Sequence, residues 1–139
     1  MSRCLYCYGA LNEHETDFHS KCSMKIFGFK NPPNLPYDSG QIKEIAKQII
    51  IKSITVTGVQ PKLSLALEKL DSLQSRLTIV GLWGNFILKP PTEQFSSLPE
   101  NEDLTMKLAT ICGIQVAEHT LIRLHSGELA YLTDRKSVV

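Results

Sequence analysis

Cys4 and Cys7 form a C-x2-C pair, and His19 with Cys22 forms an H-x2-C pair twelve residues beyond Cys7. Two intervening residues let the chain curl so that both donors of a pair meet one ion, and two such half-sites complete a tetrahedron. Three thiolates and one imidazole suit Zn2+, and four protein donors leave no open position, so the expected site is structural rather than catalytic. His14 is the rival imidazole, with poorer spacing to Cys22. Two other readings stay open: a redox dithiol, which calls for a helix N-terminus following a strand in a larger domain, and cysteines unrelated to one another. A metal would also supply folding free energy to a segment too short to fold without it. Cys112, beside Gly113, reads as a small buried hydrophobe.

Other residues carry weaker chemical signals. Thr57–Lys62 is a glycine-bearing turn before a strand, and one glycine is little evidence for a phosphate loop. Lys89 closes the apolar run Phe86–Leu88 and precedes Pro90 and Pro91. Taken alone it reads as a solvated lysine at a strand end. Glu100 and Glu102 flank Asn101 ahead of a helix, where acids favour the positive helix end.

The elements that must position these groups follow from periodicity. Ile42, Ile45, Ala46 and Ile49 share one face of a helix over 41–51, with Ser39 as its candidate cap. Strands are expected at Lys62–Leu67, Arg76–Val80 and Gly84–Lys89, together an antiparallel meander. Leu104, Leu108 and Ile111 share a face of a helix that begins near Asn101 and stops at Gly113. Two further strands, 117–124 and 129–133, flank the turn His125–Glu128. The class is α+β, with an antiparallel sheet plus helices behind a small zinc knuckle. The expected partition is a knuckle-like segment 1–30, a proline-rich linker 31–40, a lobe 41–135 and a tail 136–139.

The bulk numbers set limits. The chain has 139 residues, 42% of them apolar, and a formal net charge of +1. That balance argues against a strong nucleic-acid footprint. No apolar run reaches the length of a membrane span, and the N-terminus turns polar too soon for a signal peptide. A cytoplasmic, reducing setting is expected, in which cysteines serve as ligands or core residues.

Several motifs resemble one family in the right order. Gly58-Val59-Gln60-Pro61-Lys62-Leu63-Ser64-Leu65 resembles the phosphate-binding segment of HipA-like kinases, the serine/threonine kinases of bacterial toxin–antitoxin systems. Asn85-Phe86-Ile87-Leu88-Lys89-Pro90-Pro91 resembles their strand with the ATP-contacting lysine. Leu98–Ala109 resembles their next helix, and Leu129–Arg135 the strand toward the hinge. The Cys/His-rich start resembles that of variants with a short front segment. The resemblance implies a partial protein-kinase-like N-lobe. Gly58, Val59, Gln60 and Lys62 would lie by the phosphates, Lys89 would contact ATP, and Glu102, or less favourably Glu100, would anchor it. ATP and Mg2+ are the implied cofactors.

A kinase also needs a catalytic-loop aspartate and metal-holding residues, which this family carries in a helical C-lobe. Asp134 cannot stand in for these. The expectation is therefore a truncated or split kinase homologue, inactive alone, with a C-lobe chain or an antitoxin as partner. Two alternatives remain. One is a protein-binding zinc module that serves as a toxin–antitoxin partner subunit. The other is a nucleic-acid-binding zinc protein, for which Tyr6, Tyr8, Phe18, Phe27 and Phe29 lie among Lys21, Lys25 and Lys30. The plainer reading of those rings is a mini-core around the metal.

Overall fold

Leu63, Leu65 and Leu67 alternate with small or polar residues, which places them on one face of a pleated strand. They fall on β1 (Leu63–Lys69), where Leu63 and Leu65 are buried. A computed structural model describes residues 2–52, 62–81 and 84–135, and of residues 49–52 the backbone alone. β1 pairs with β2 (Ser75–Val80) from Ser64 opposite Val80 to Lys69 opposite Ser75. The Asp71 carboxylate closes the turn between them by accepting the Leu73 and Gln74 N–H groups at 2.7 and 2.9 Å.

With β3 (Phe86–Lys89), β4 (His119–Arg123) and β5 (Leu129–Asp134) the described residues form a five-stranded sheet of order β2-β1-β3-β5-β4. Every pairing in it is antiparallel. The first three strands are therefore not a meander, because β3 pairs with β1 rather than with β2. The chain leaves β2 beside Ser64, crosses β1 and re-enters opposite Leu65. Gly84 makes this crossing feasible. A Cβ there would stand 2.3 Å from the Leu65 carbonyl oxygen and 2.8 Å from the Leu65 nitrogen, so only glycine fits against that backbone. Asn85 completes the crossing by accepting the Leu67 N–H on its side-chain oxygen at 2.7 Å.

α2 (Ser39–Lys52) buries Ile42 and Ala46, the face its spacing predicts. Its cap is Asp38, not Ser39. Asp38 Oδ1 accepts the Gln41 N–H at 2.8 Å, and Gln41 Oε1 accepts the Asp38 N–H at 2.9 Å. This reciprocal pair displaces Ser39 into the first turn. The proline-rich stretch before it runs along β2: the Asn34 N–H donates to the Ser75 carbonyl, the Leu77 N–H donates to the Asn34 carbonyl, and Leu35 is buried.

α3 (Leu98–Ile111) ends in a Schellman motif. The Gly113 N–H reaches the Thr110 carbonyl and the Ile114 N–H the Ala109 carbonyl, with Gly113 at φ +85°. Its burial inverts the pattern in its sequence. Leu104, Leu108 and Ile111 are 48%, 52% and 80% exposed, while Asp103 is fully buried. Cys112, just past the helix, is exposed rather than buried.

The N-terminal segment packs on the same core. Phe27 of α1 (Ser20–Phe27) meets Phe18 edge-to-face at 5.6 Å and Phe86 of β3 at 5.8 Å. The Leu5 carbonyl accepts the Leu121 N–H and the Thr120 hydroxyl, which joins this segment to β4. Phe18 and Phe27 are buried, and Tyr6, Tyr8 and Phe29 are partly buried against the core. These contacts match a mini-core better than a stacking surface. Among the described residues, no helix is long and apolar enough to cross a membrane.

Candidate functional site

The two cysteine-bearing half-sites converge. One donor atom from each of Cys4, Cys7, His19 and Cys22 lies within 4.8 Å of the others. A tetrahedron with Zn–S arms of about 2.3 Å has edges of about 3.8 Å, so a small contraction would close the set on an ion. His19 Nδ1 faces the sulfurs, 3.3 Å from Cys7 Sγ and 3.7 Å from Cys22 Sγ. Its other nitrogen, Nε2, lies 2.9 Å from the Ala10 carbonyl, which fixes the proton there and leaves Nδ1 free to ligate. The Gly9 N–H points at Cys7 Sγ from 3.4 Å.

The thiols differ in environment. Burial pushes Cys4 up, but hydrogen bonds from the backbone at Cys7, His19 and Tyr6 outweigh it and bring the thiol down to about 7. Cys22 is pushed up to about 12, first by burial and then by the charge of Cys4. A cation among them would favour the thiolate at every position. The cluster can hold a metal ion. His14 is not part of it, and its backbone N–H is turned toward Asn12 Oδ1.

A second polar arrangement lies between α3 and the sheet. Lys89, last residue of β3, donates from Nζ to Glu102 Oε1 at 2.6 Å, and both side chains are mostly buried. Tyr131, the cross-strand partner of Lys89, holds its ring 5.6 Å from the same ammonium. One residue along α3, Asp103 accepts the Lys107 ammonium at 3.0 Å and the Tyr8 hydroxyl. Lys107 Nζ lies 4.8 Å from the Tyr8 ring and 5.5 Å from the Tyr6 ring, and Tyr6 donates to Glu118 at 2.5 Å. Burial, reinforced by Glu118 for Tyr6, by Asp103 for Tyr8 and by Glu102 for Tyr131, raises all three phenols, so they remain donors at neutral pH.

The residues singled out from sequence fall in different places. Cys4, Cys7, His19 and Cys22 meet one another, and Lys89 meets Glu102. Glu100 lies on the other side of the α3 N-terminus, in a cleft of about 500 Å³ with Lys43 and Glu128. Lys62 is exposed just ahead of β1. Gly58, Val59 and Gln60 lie outside the described residues, as does the tail 136–139. Sequence reasoning missed Asp103 and Lys107, and it read Tyr8 only as a ring, not as a hydroxyl donor to Asp103. Lys107 follows Asp103 at the helical i,i+4 spacing, which was a usable signal. Tyr8 lies 95 residues from Asp103, and no local pattern announces that contact.

Over 92 residues the chain is 33% identical to a Haemophilus influenzae protein described as "Putative kinase", an alignment that takes in 65% of this chain and 24% of that relative. The chain thus spans about a quarter of its length. Residues 54–135 match the family described as HipA-like C-terminal domain. With more than half of the 139 residues inside that match, the chain belongs to the HipA-like C-terminal domain family.

Proposed function

We propose that this chain forms the phosphate-holding wall of a HipA-like protein serine/threonine kinase, with a structural zinc ion in its N-terminal cluster. The observation that carries the reading is the 2.6 Å pair between Lys89 on β3 and Glu102 on α3. In kinases a strand lysine contacts the α- and β-phosphates of ATP and is held in place by a helix glutamate. Lys89 is the group for those phosphates, and Glu102 keeps its ammonium aimed by a charge-assisted bond. Gly58, Val59, Gln60 and Lys62 are the proposed remainder of the phosphate site. Mg2+, bound with the nucleotide, would neutralise phosphate charge. The family match and the kinase-described relative support this reading. Phosphoryl transfer itself also takes an aspartate to orient the hydroxyl and residues to hold Mg2+. In the proposed enzyme a C-lobe contributes these, and the setting is cytoplasmic.

Calorimetric titration of the purified chain with Mg2+ and a non-hydrolysable ATP analogue tests the nucleotide reading. Binding that weakens at least about tenfold in Lys89→Ala is expected, since charge-assisted contacts contribute about 1.5–3 kcal/mol. Equal affinity in the two proteins, or no binding with or without a C-lobe chain, would sink it. Metal analysis tests the zinc reading: about one zinc per chain is expected, and Cys7→Ser should lose it.

A further inference from the structure

The metal cluster and the lysine–glutamate pair are joined by a short, continuous set of contacts. Cys7 is a cluster donor, and the next residue, Tyr8, sits in the left-handed region at φ +69°. A side chain at such a φ persists only where its surroundings over-determine it. The Tyr8 N–H is tied back to the Cys4 carbonyl at 2.9 Å, so the turn that bears the sulfur donors also fixes Tyr8. The Tyr8 hydroxyl then donates to Asp103, the neighbour of Glu102 on α3. Lys107, one turn further along α3, is held by Asp103 and by the faces of Tyr8 and Tyr6.

Among the described residues the opposite side of α3 offers no comparable hold, because Leu104, Leu108 and Ile111 are exposed. A helix with an apolar seam slides only at a hydrophobic cost. A helix seated on a buried carboxylate is instead placed by whichever donors reach that carboxylate. Asp103 Oδ1 and Glu102 Oε2 are already buried without a partner among the described residues. Loss of the Tyr8 hydroxyl would therefore leave the Asp103 carboxylate short of a hydrogen-bond donor in a dry site.

We propose that the metal-bound turn acts as a clamp on α3, with Tyr8 and Asp103 as positioning residues that hold Glu102 against Lys89. Ion loss would release Tyr8 from its left-handed turn, free α3 and loosen the pair. This rests on the reading of the cluster as a zinc site but not on nucleotide binding. Metal occupancy would thus tune the phosphate-holding lysine from a distance, through the helix rather than by contact.

Lys89 itself supplies the readout. Acylation takes the neutral amine, and an ammonium paired with Glu102 must first leave the pair and give its proton to water, so the rate at which a water-soluble N-hydroxysuccinimide acetate acylates Lys89, followed by mass spectrometry, reports whether Glu102 holds it. The full-length chain is compared zinc-loaded, chelated and as Tyr8→Phe, with Glu102→Gln as reference. Glu102→Gln should label Lys89 at least about threefold faster, the scale of one hydrogen bond. Tyr8→Phe should approach that rate while retaining zinc. In the Glu102→Gln background, neither Tyr8→Phe nor chelation should add to it. Because chelation alone could unfold the chain, the Tyr8→Phe arm decides. A zinc-retaining Tyr8→Phe protein whose Lys89 labels as slowly as wild type overturns the clamp. So does a Glu102→Gln protein with no acceleration. Absence of zinc from the purified chain would instead remove the metal reading, and the clamp with it. A clamp confirmed by labelling alongside failed nucleotide binding would refute only the kinase reading.

Discussion

α2 and α3 have the same length, fourteen residues, and opposite logic. α2 turns Ile42 and Ala46 into the core, and its capping pair is local, Asp38 with Gln41. α3 turns Pro99 and Asp103 inward and leaves Leu104 and Leu108 about half exposed. Hydrophobic burial is non-directional, so α2 needs only to be present and roughly oriented. Hydrogen bonds and ion pairs are directional and costly when unmade, so α3 is held in one place by a few named groups. The first arrangement supplies stability. The second ties the position of Glu102 to distant residues.

The contrast can be broken in order of expected effect. Ile42→Ala removes a fully buried side chain and should cost about 3–4 kcal/mol in denaturant unfolding. A loss below about 1 kcal/mol would mean that α2 is not seated by its apolar face. Asp103→Ala should cost somewhat less, about 2–3 kcal/mol, by stranding Lys107 and the Tyr8 hydroxyl. Its distinguishing sign is faster amide hydrogen exchange confined to 98–111, while β1 and β2 stay protected. Uniform acceleration across the chain would make Asp103 an ordinary stability residue. Leu108→Ser, on the half-exposed face, should change stability of the isolated chain by less than about 0.5 kcal/mol. A penalty well above that would show that the leucine row is covered in solution.

The same pair of helices shows what local sequence can express. Spacing identified the α2 face because the core lies where its own apolar period points. It also located α3 and its Gly113 stop, yet not the side of α3 that meets the sheet, which depends on partners 95 residues away in the case of Tyr8. The four residues of the Cys/His cluster, which can hold a metal ion, were legible since two short spacers carry most of their geometry. The strand order was not. Consecutive strands usually pair in sequence, and the crossing of β1 shows itself only once Gly84 is seen against the Leu65 backbone. Asp38 as the cap was legible but overlooked: Gln41 lies at the capping-box spacing from Asp38, not from Ser39. Cys112 was misplaced because a cysteine's usual preference for burial yields at a helix terminus that the fold leaves in water.

The strap over β2 has a consequence for how this molecule keeps to itself. Among the described residues β2 is the last strand on its side of the sheet, and such a border is a template on which another chain can add a strand. Asn34 already occupies the backbone groups of Ser75 and Leu77 there. Around it, Pro32, Pro33 and Pro36 carry no N–H to offer a newcomer. The prolines thus act as a selvedge that stops the sheet from growing into its neighbours.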